Sequence, residues 1–564
     1  MKTGIILPRR GQRNVLVTSA LPYVNNVPHL GNIIGSVLSA DVFARYCRAR
    51  GLNTLYVGGT DEYGTSTEIR ALKEKCTPQE LCNRFHAIHS QVYKWFNISF
   101  DVFGRTTTRQ QTEITQDIFL KLNSRDLLRE ETTMQLFCNE HHSFLADRLV
   151  EGKCPLCNYP DARGDQCDRC GKLLDPLELI QPRCKVDGST PTTKDTKHVF
   201  LALDKLQPEV ETLFHNVSAG WPSTAKSITA AWLREGLKKR SITRDIRWGT
   251  QVPLTGYENK AIYPWFDACI GYASITAGYT ERWEEWWRDP DVQLYQFVGK
   301  DNVVFHSVIF PATQIGTGDV WTRLHHLSAT DYLMSEGGKF SKGRGVGVFG
   351  DSVQQTGVPA DVWRFYLLSC RPETGDSEFT WDGLIQANNN ILLKNIGNFV
   401  SRVLRFLAKH YHSVPEWTGG SGLKSEVNGL LMQYISELDA VKLRAGQLTA
   451  LRVSQCGNAF LQSNKLDSKL FAGDPARCAA VVGLAVNLVH LLAALLAPYL
   501  PDTAAAINSQ LHIGPLSIPG RWDADSINPG HEIGAPEHLF RHIDPAKAKE
   551  WRQAFGSGQG SSEV

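Results

Sequence analysis

The stretch from Val15 to Asn32 constrains the fold of this chain more than any other. It opens with an apolar, β-branched run, Val15–Thr18, which is typical of a buried parallel strand. Pro22 and Pro28 then break the backbone into a loop, and a helical pattern starts directly after His29-Leu30-Gly31-Asn32. Open parallel sheets bind ligands beyond the carboxyl ends of their strands, and helix N-termini attract phosphate. The stretch therefore predicts an α/β fold with a ligand site at this loop.

Two residues of that loop suit a nucleotide. His29 can donate a hydrogen bond to phosphate, and Gly31 lets a ligand approach the backbone without a Cβ in the way. Taken alone, a loop histidine and a turn glycine explain the same residues. A second stretch, GGKFSKGRGVGVFG, carries Lys339 and Lys342 in a glycine-rich loop, which suits a clamp on a polyanion. By itself it is equally typical of a solvated basic loop.

Together, PHLGN and KFSKG resemble the HIGH and KMSKS signatures of the class I aminoacyl-tRNA synthetases, and ALPYVNNVPHLGNIIG is similar to the methionyl members of that class. The resemblance extends from about residue 13 to about residue 555. It implies ATP-dependent activation of methionine and transfer to the 3′ end of methionine tRNA, initiator and elongator. It also implies an α/β fold, with a doubly wound, Rossmann-like catalytic domain, a zinc-knuckle insertion and an all-α anticodon-binding bundle.

The resemblance also implies roles for individual residues. For catalysis these are His29, Asn32, Lys339 and Lys342. For ATP they are His29, Gly31, Asn32, Gly299, Asp301, Lys339 and Lys342, with Mg²⁺ accompanying the nucleotide. For methionine they are Ala20, Leu21, Tyr23, Asp61, Arg244, Trp265, Ala268, Cys269, Tyr272 and His306. For the tRNA anticodon they are Lys394, Asn398 and Arg402, whereas Asp467 stands where many relatives stack a tryptophan.

Several of the methionine-site residues have a structural explanation as well. Asp61 follows a predicted strand and could hold an ammonium group, but it or Glu62 could instead cap a helix. The segment IYPWFDACIGY offers aromatic walls for a thioether, although its spacing is also typical of an aromatic core helix. Arg244 faces either the substrate or Asp245 in a surface pair, and a lone histidine such as His306 is usually a core or surface residue.

Residues 131–188 carry six of the 13 cysteines. Cys154, Cys157, Cys167 and Cys170 form two CxxC pairs, a spacing that suits a tetrahedral structural zinc in a reducing compartment better than disulfides. An alternative second set of ligands is Cys138, His141, Cys184 and Asp187, in which the aspartate is a weaker zinc ligand than cysteine. One structural zinc is therefore predicted, with a second as the alternative.

The net charge of +2 gives no global footprint for nucleic acid, so tRNA binding must use local patches. The apolar run 479–500 is long enough to raise the question of a membrane, but its polar interruptions favour a buried helix. We therefore predict no membrane partner. The wording of the first motif favours the cytoplasm over an organelle, and relatives of this kind associate with other synthetases or accessory proteins.

The predicted organisation follows the changes of pattern along the chain. We expect a basic arm (1–13), a catalytic domain in two halves (14–130 and 189–335) around the zinc insertion (131–188), the KFSKG loop and stem-contact region (336–382), the anticodon-binding domain (383–555) and a disordered tail (556–564). We also expect a helix over 229–240, a last strand over 324–334, no strand after about 360, and helices over 383–412, 425–447, 448–465 and 476–499.

Overall fold

A computed structural model describes residues 4–140, 142–145, 147–336 and 347–555. The predicted site residues His141, Lys339 and Lys342, and the predicted tail, lie outside the described residues. The chain divides into two compact units. The first holds the chain through Val27, then Leu55–Gln91 and Phe100–Ala329; the second holds Pro28–Thr54, Val92–Ser99 and the chain from Thr330 onward.

A five-stranded sheet organises the first unit. Its spatial order is Leu324–Thr330, Val292–Gly299, Asn14–Ser19, Asn53–Thr60 and Val102–Arg105. The two pairs Asn14–Ser19 with Val292–Gly299, and Asn53–Thr60 with Val102–Arg105, are parallel. Every residue of the first strand is buried, as its β-branched apolar run predicts. The predicted parallel-sheet fold is confirmed, and the carboxyl ends of paired strands meet at one edge.

Helices cover one face of this sheet, where strand residues such as Leu16, Leu55 and Val57 join a large apolar core. The helices of the first unit are Thr65–Lys73, Pro78–Trp95 (which continues into the second unit), Arg109–Ser124, Leu203–Val217, Ser223–Glu235, Pro264–Asp267, Gly271–Tyr279, Glu284–Trp287, the π-helix Phe305–Ile309 and Phe310–Thr317. Four fully or nearly fully buried aromatic side chains, Trp286, Trp287, Trp321 and Tyr272, fill this core.

The cysteine-rich segment forms two small antiparallel sheets within the first unit. One consists of Arg240–Ser241, Thr192–Leu201, Leu128–Cys138 and Ser143–Phe144. The other consists of Ala162–Arg163, Val150–Lys153 and Ile180–Cys184. Short 3₁₀ turns at Asp147–Leu149 and Pro176–Glu178 connect these strands, and a separate two-stranded ribbon pairs Thr243–Arg244 with Ala261–Ile262.

The second unit is mainly helical. Its helices are Leu30–Asn32, the π-helix Ile33–Val37, Leu38–Ala49, Ala360–Ser369, Trp381–Gln386, the π-helix Ala387–Gly397, Asn398–His410, Ser421–Asp439, Leu443–Ser463, Ser468–Gly473, Pro475–Leu496, Pro501–Leu511 and Lys547–Phe555. Among the described residues, Pro475–Leu496 alone is long and apolar enough to cross a membrane, and 83% of its apolar window is buried inside the protein. The prediction that this segment is a buried helix is confirmed.

Six predicted elements were wrong in their bounds or number. The helices expected over 425–447 and 448–465 are Ser421–Asp439 and Leu443–Ser463, so the break between them comes earlier than expected. The helix expected over 229–240 is Ser223–Glu235, because Gly236 has a φ of +79° that ends it. The strand expected over 324–334 breaks at Asp331 into Leu324–Thr330 and Leu333–Ser335. The second piece pairs with a strand after residue 360, Ser377–Phe379, where none was expected. The helix expected over 383–412 starts at Trp381, because the Thr380 side chain accepts the amide hydrogen of Gly383.

Candidate functional site

The loop after the first strand brings Tyr23 beside Asp61. The Ala20 amide donates to the Phe297 carbonyl at 2.9 Å, and the Asp61 amide donates to the Pro22 carbonyl at 2.9 Å. The Trp265 indole N–H donates to the Tyr23 hydroxyl. These bonds hold the predicted residues Ala20 and Tyr23 at the carboxyl edge of the sheet, next to a carboxylate and an indole ring.

The segment IYPWFDACIGY is buried except on one side. Trp265 and Ala268, three residues apart, are only partly buried, whereas Cys269 and Tyr272 are buried. Trp265 meets the ring of Phe305 edge to face, with centroids 4.6 Å apart. A Cβ on Gly271 would lie 2.9 Å from Leu21 Cδ1, so this glycine allows the helix to approach Leu21. The predicted aromatic wall and the loop residue Leu21 therefore belong to one cluster.

His306 and Tyr272 form a polar pair inside this apolar cluster. The His306 Nδ1 lies 2.8 Å from the Asn302 carbonyl oxygen, so Nδ1 is assigned the proton and donates to it. The other ring nitrogen, Nε2, then accepts the Tyr272 hydroxyl at 2.8 Å, and the Cys269 sulfur lies 3.8 Å from it. Burial lowers the pKa of His306 to about 4, so the imidazole is neutral at pH 7. The pair fixes both rings without adding a charge.

Asp61 carries the buried acceptor of the site. Asp61 is 3% exposed, and its carboxylate oxygen Oδ1 has no hydrogen-bond partner among the described residues. Burial, and then the nearby carboxylates of Asp267 and Glu62, raise the pKa of Asp61 well above its usual value. Glu62 is satisfied differently, because Arg105 Nε lies 2.9 Å from its Oε2. Of these neighbouring carboxylates, Glu62 pairs with Arg105, whereas no cation pairs with Asp61 among the described residues.

Asp267 is a second buried carboxylate, which lies in the segment IYPWFDACIGY and was not predicted as a site residue. It is 1% exposed; the Thr250 hydroxyl donates to its Oδ2 at 2.9 Å, and its Oδ1 has no partner among the described residues. Burial raises the pKa of Asp267 to about 7. Neither Asp61 nor Glu62 caps the following helix, since the N-cap of Thr65–Lys73 is Gly64 without a side-chain bond.

Arg244 is engaged within the first unit. Its Nε lies 3.0 Å from Asp147 Oδ1, and its guanidinium lies 3.8 Å from the centre of the Tyr263 ring. The alternative pair with Asp245 does not form, because that carboxylate contacts Lys260 and lies 3.0 Å from His198 Nε2. The contact with the substrate stays a prediction. Asp147 lies 97 residues away in the cysteine-rich segment, so no local sequence pattern predicts this pair.

Gly299 and Asp301 lie at the carboxyl end of the strand Val292–Gly299, in and before the 3₁₀ turn Lys300–Asn302. Ser19 pairs with Phe297 in the parallel register. Gly299 and Asp301 therefore lie at the same carboxyl edge of the sheet as Ala20. This edge is where open parallel sheets bind nucleotides.

His29 and Asn32 cap a helix in the second unit. The Asn32 amide donates to His29 Nδ1 at 3.2 Å, and the His29 amide donates to Asn32 Oδ1 at 3.2 Å. Burial lowers the pKa of His29 to about 4. A Cβ on Gly31 would lie 3.0 Å from the His29 ring, so glycine keeps that ring in place. Phe349 pairs with His29 through an isolated bridge, so the chain following the KFSKG loop returns beside the motif.

The four cysteines of the paired CxxC motifs form one cluster. Their sulfur atoms all lie within 4.8 Å of one another, and thiolates bound to one zinc at about 2.3 Å stand roughly 4 Å apart. The Cys154 amide donates to the Tyr159 carbonyl at 2.8 Å, and the Cys167 amide donates to the Lys172 carbonyl at 3.0 Å. Against burial, the amides of Cys157 and Leu156 help lower the pKa of the Cys154 thiol to about 7. The donor set fits zinc.

A second cluster contains Cys138, Cys184 and Asp187, again within 4.8 Å. Its loop repeats the turn of the first cluster, since the Cys184 amide donates to the Ser189 carbonyl at 2.8 Å and Gly188 has a φ of +75°. The fourth predicted ligand, His141, lies outside the described residues.

The predicted anticodon residues lie on one continuous helical stretch. Lys394 Nζ donates to Asn390 Oδ1 at 2.9 Å, and Asn398 Nδ2 donates to Asn458 Oδ1 at 3.1 Å. Arg402 lies one turn after Asn398 in the helix Asn398–His410. Asp467 caps the helix Ser468–Gly473, so its role in the described structure is local.

The sheet edge, the capped HLGN motif and the cysteine knuckles are the features of a class I tRNA synthetase. Residues 15–404 match the family described as tRNA synthetases class I (M), and residues 418–560 match the anticodon binding domain of methionyl tRNA ligase. The chain belongs to the methionyl family of class I tRNA synthetases.

Curated relatives agree with this assignment. The chain is 54% identical over 571 residues to the probable cytoplasmic methionine–tRNA ligase of Schizosaccharomyces pombe, with 99% of this chain and 73% of that protein covered. It is 52% identical to the cytoplasmic methionine–tRNA ligase of Saccharomyces cerevisiae, with 99% and 75% covered. It is 51% identical to the human cytoplasmic methionine–tRNA ligase, with 98% and 63% covered.

A solved structure agrees in fold. The methionyl-tRNA synthetase of Mycobacterium tuberculosis, bound by methionyl-adenylate, superimposes with a TM-score of 0.77 at 19% identity and covers 94% of this chain and 100% of its own. At that identity the likeness concerns the fold alone.

Proposed function

We propose that this chain is a methionine–tRNA ligase that acts in the cytoplasm, as the curated relatives named above do. It joins methionine to ATP as methionyl-adenylate with release of pyrophosphate, and then transfers methionine to the 3′ end of its tRNA. The observation that carries this proposal is the buried, unsatisfied Asp61 oxygen beside the aromatic cluster of Trp265, Tyr23 and Tyr272. A cation next to an apolar, partly flexible group is what such a site would bind, and methionine offers both.

Asp61 accepts the α-ammonium group, and Trp265, Ala268, Cys269 and Tyr272 surround the thioether side chain. His306 orients Tyr272 as a neutral acceptor, so no charge faces the sulfur. Ala20, Leu21 and Tyr23 close the pocket from the loop after the first strand. Arg244 attracts the substrate carboxylate, which requires its guanidinium to donate to the substrate and to Asp147 at the same time.

ATP is assigned to two groups of residues, one that follows the strand Val292–Gly299 and one in the HLGN motif. Gly299 leaves room for the adenosine and Asp301 accepts ribose hydroxyls, while His29, Gly31 and Asn32 bind phosphate oxygens. Lys339 and Lys342 bind the phosphates from the loop. Because the phosphoryl step needs positioning and charge stabilisation rather than covalent help, these groups suffice from the protein side. Mg²⁺ supplies further charge neutralisation on the phosphates.

The cysteine cluster Cys154, Cys157, Cys167 and Cys170 holds a structural zinc, since four protein ligands leave no open position. Cys138, His141, Cys184 and Asp187 are the alternative set of ligands for a second zinc. The domain bounds predicted above, the anticodon contacts of Lys394, Asn398 and Arg402, and association with other synthetases or accessory proteins belong to this proposal as well.

The proposal is tested by methionine-dependent ATP–pyrophosphate exchange with the Asp61→Asn variant. Loss of a charge-assisted hydrogen bond is worth about 1.5–3 kcal/mol, so the KM for methionine should rise by roughly 10- to 150-fold. The control is Asp291→Asn, which removes an exposed carboxylate from the same unit and should keep the wild-type KM. Wild-type kinetics in Asp61→Asn, or exchange that depends on a different amino acid, would refute the assignment.

A further inference from the structure

The helix that carries the HLGN motif contains a π-turn immediately after it. The helical turn Leu30–Asn32 runs into the π-helix Ile33–Val37 and then into Leu38–Ala49, and the Leu38 amide bonds to the Ile33 carbonyl, five residues back. One residue more in a turn rotates the preceding turn by about 100° around the helix axis. The π-turn therefore decides the direction in which His29 and Asn32 face.

Two buried hydroxyl groups bond the carbonyls of this π-turn. The Ser39 hydroxyl donates to the Ile34 carbonyl at 2.5 Å, and the Thr330 hydroxyl donates to the Gly35 carbonyl at 3.3 Å. Ser39 and Thr330 are 0% and 1% exposed, so water cannot easily replace either bond. Side chains that insert into the backbone ladder in this way are a recognised cause of local departures from α-helical geometry.

Arg371 determines which way the Ser39 hydroxyl points. Its Nε donates to Ser39 Oγ at 2.8 Å. A guanidinium has donors only, so the serine oxygen must accept this bond and direct its single proton to the Ile34 carbonyl. Arg371 is 2% exposed, and Glu373 Oε1 lies 2.8 Å from its Nη1. A buried arginine destabilises a protein unless it is paired. Here Glu373 pairs with Nη1 of Arg371, and Nε is used for the bond to Ser39.

The two segments that bond the π-turn are joined to each other. The Asp331 amide, next to Thr330, donates to the Pro372 carbonyl, next to Arg371, at 2.9 Å. Glu373 also accepts the Arg444 amide at 3.3 Å, where the helix Leu443–Ser463 begins. All of these residues belong to the second unit. The residues that hold the π-turn are therefore themselves connected by hydrogen bonds.

We propose that Arg371 is a positioning residue for ATP binding, which acts through Ser39 to hold the π-turn and thereby the orientation of His29 and Asn32. The inference rests on the proposed function, because it concerns the ATP site of that function. Arg371 itself touches no substrate.

The test compares the steady-state KM values for ATP and methionine in pyrophosphate exchange, together with the melting temperature. Ser39→Ala removes the bond to the Ile34 carbonyl, and alanine is well tolerated inside a helix. It should raise the KM for ATP about tenfold while the KM for methionine stays within twofold. Ser369→Ala is the matched control, because its hydroxyl donates to the Phe365 carbonyl at 2.8 Å in the same unit. This control should leave both KM values unchanged.

Variants of Arg371 test whether this residue acts through Ser39. Arg371→Met should raise the KM for ATP at least as much as Ser39→Ala, and Arg371→Lys, which keeps a donor, should recover part of the loss. The double variant Ser39→Ala/Arg371→Met should resemble Arg371→Met within twofold, because both changes break one path. If Arg371→Met does not fold, Ser39→Ala still decides the question.

Two results would overturn the inference. One is a Ser39→Ala variant with the kinetics of Ser369→Ala, and the other is an equal rise of both KM values. The failure of the proposed function has a different signature, since the wild-type protein would then show no methionine-dependent exchange at all.

Discussion

Replacing Asp267 by asparagine should stabilise the first unit, and the gain should grow with pH. Burial raises the pKa of Asp267 from 3.8 to about 7, so the folded protein keeps a proton here that the unfolded chain releases above about pH 4. The unfolded state therefore binds fewer protons between these two values, and the free energy of unfolding falls as pH rises through this window. Below pH 4 both states are protonated and the penalty vanishes.

The magnitude follows from the two pKa values. Three decades of proton affinity, at about 1.4 kcal/mol each, make a penalty of roughly 4 kcal/mol at pH 7 and above. Asparagine cannot ionise, and its amide oxygen can still accept the bond that Thr250 makes to Asp267. We expect Asp267→Asn to match the wild type near pH 4 and to exceed it by up to about 4 kcal/mol near pH 8.

Hydrogen exchange of the segment 264–279 is the assay, because a chain of 564 residues does not unfold in one step. Local opening free energies are measured from pH 5 to pH 8, after correction for intrinsic exchange rates. Asp195→Asn, at an exposed position of the same unit, is the control and should show no gain that depends on pH. Parallel curves for Asp267→Asn and the wild type would refute the argument that this carboxyl is buried and neutral.

Two further predictions concern metal and packing. Cys154→Ser should remove one zinc per chain, as measured by elemental analysis, and should make the insertion more sensitive to proteolysis. The control is Cys456→Ser, at a buried cysteine outside the cluster, which should keep the wild-type zinc content. Unchanged zinc content in Cys154→Ser would contradict the assignment of the cluster. Arg364→Met removes the buried cation that lies 2.7 Å from Asp41 and leaves Arg45, at 2.8 Å, as the cation that still pairs with this carboxylate. It also removes the hydrogen bonds that Arg364 donates to the carbonyls of Phe96, Pro498 and Tyr499, and the loss together should cost about 3 kcal/mol or more of unfolding free energy. Hydrogen exchange in 38–49 measures that loss, the double variant Arg364→Met/Asp41→Leu should recover part of it, and full stability of Arg364→Met would contradict it.

Local patterns in the sequence predicted the parts of the fold that depend on local order. The run Val15–Thr18 is a buried strand, a helix begins at HLGN, and the two CxxC pairs converge on one cluster. These features follow from side-chain periodicity, helix-start signals and metal-ligand spacing. Each is decided within about 20 residues, and so a single sequence can predict it.

The remainder depends on contacts between distant segments. The strand Ser377–Phe379 has three residues and forms only because Leu333–Ser335 pairs with it, so no run of β-branched residues marked it. Arg244 binds Asp147 rather than its sequence neighbour Asp245. Asp267 lies inside the segment IYPWFDACIGY, but only its burial distinguishes it from a surface carboxylate. The π-turn after HLGN has no periodic signal at all.

Charging of unfractionated tRNA, with each of the twenty amino acids supplied in turn with ATP, shows whether this chain is a methionine–tRNA ligase. It requires the amino-acid pocket, the nucleotide motifs and the helical unit to work together in one protein. We predict that methionine alone is attached to tRNA at a substantial rate, and that Asp61→Asn loses most of the activity at a methionine concentration near the wild-type KM. Attachment of a different amino acid, or no attachment by folded, zinc-loaded protein, would contradict it.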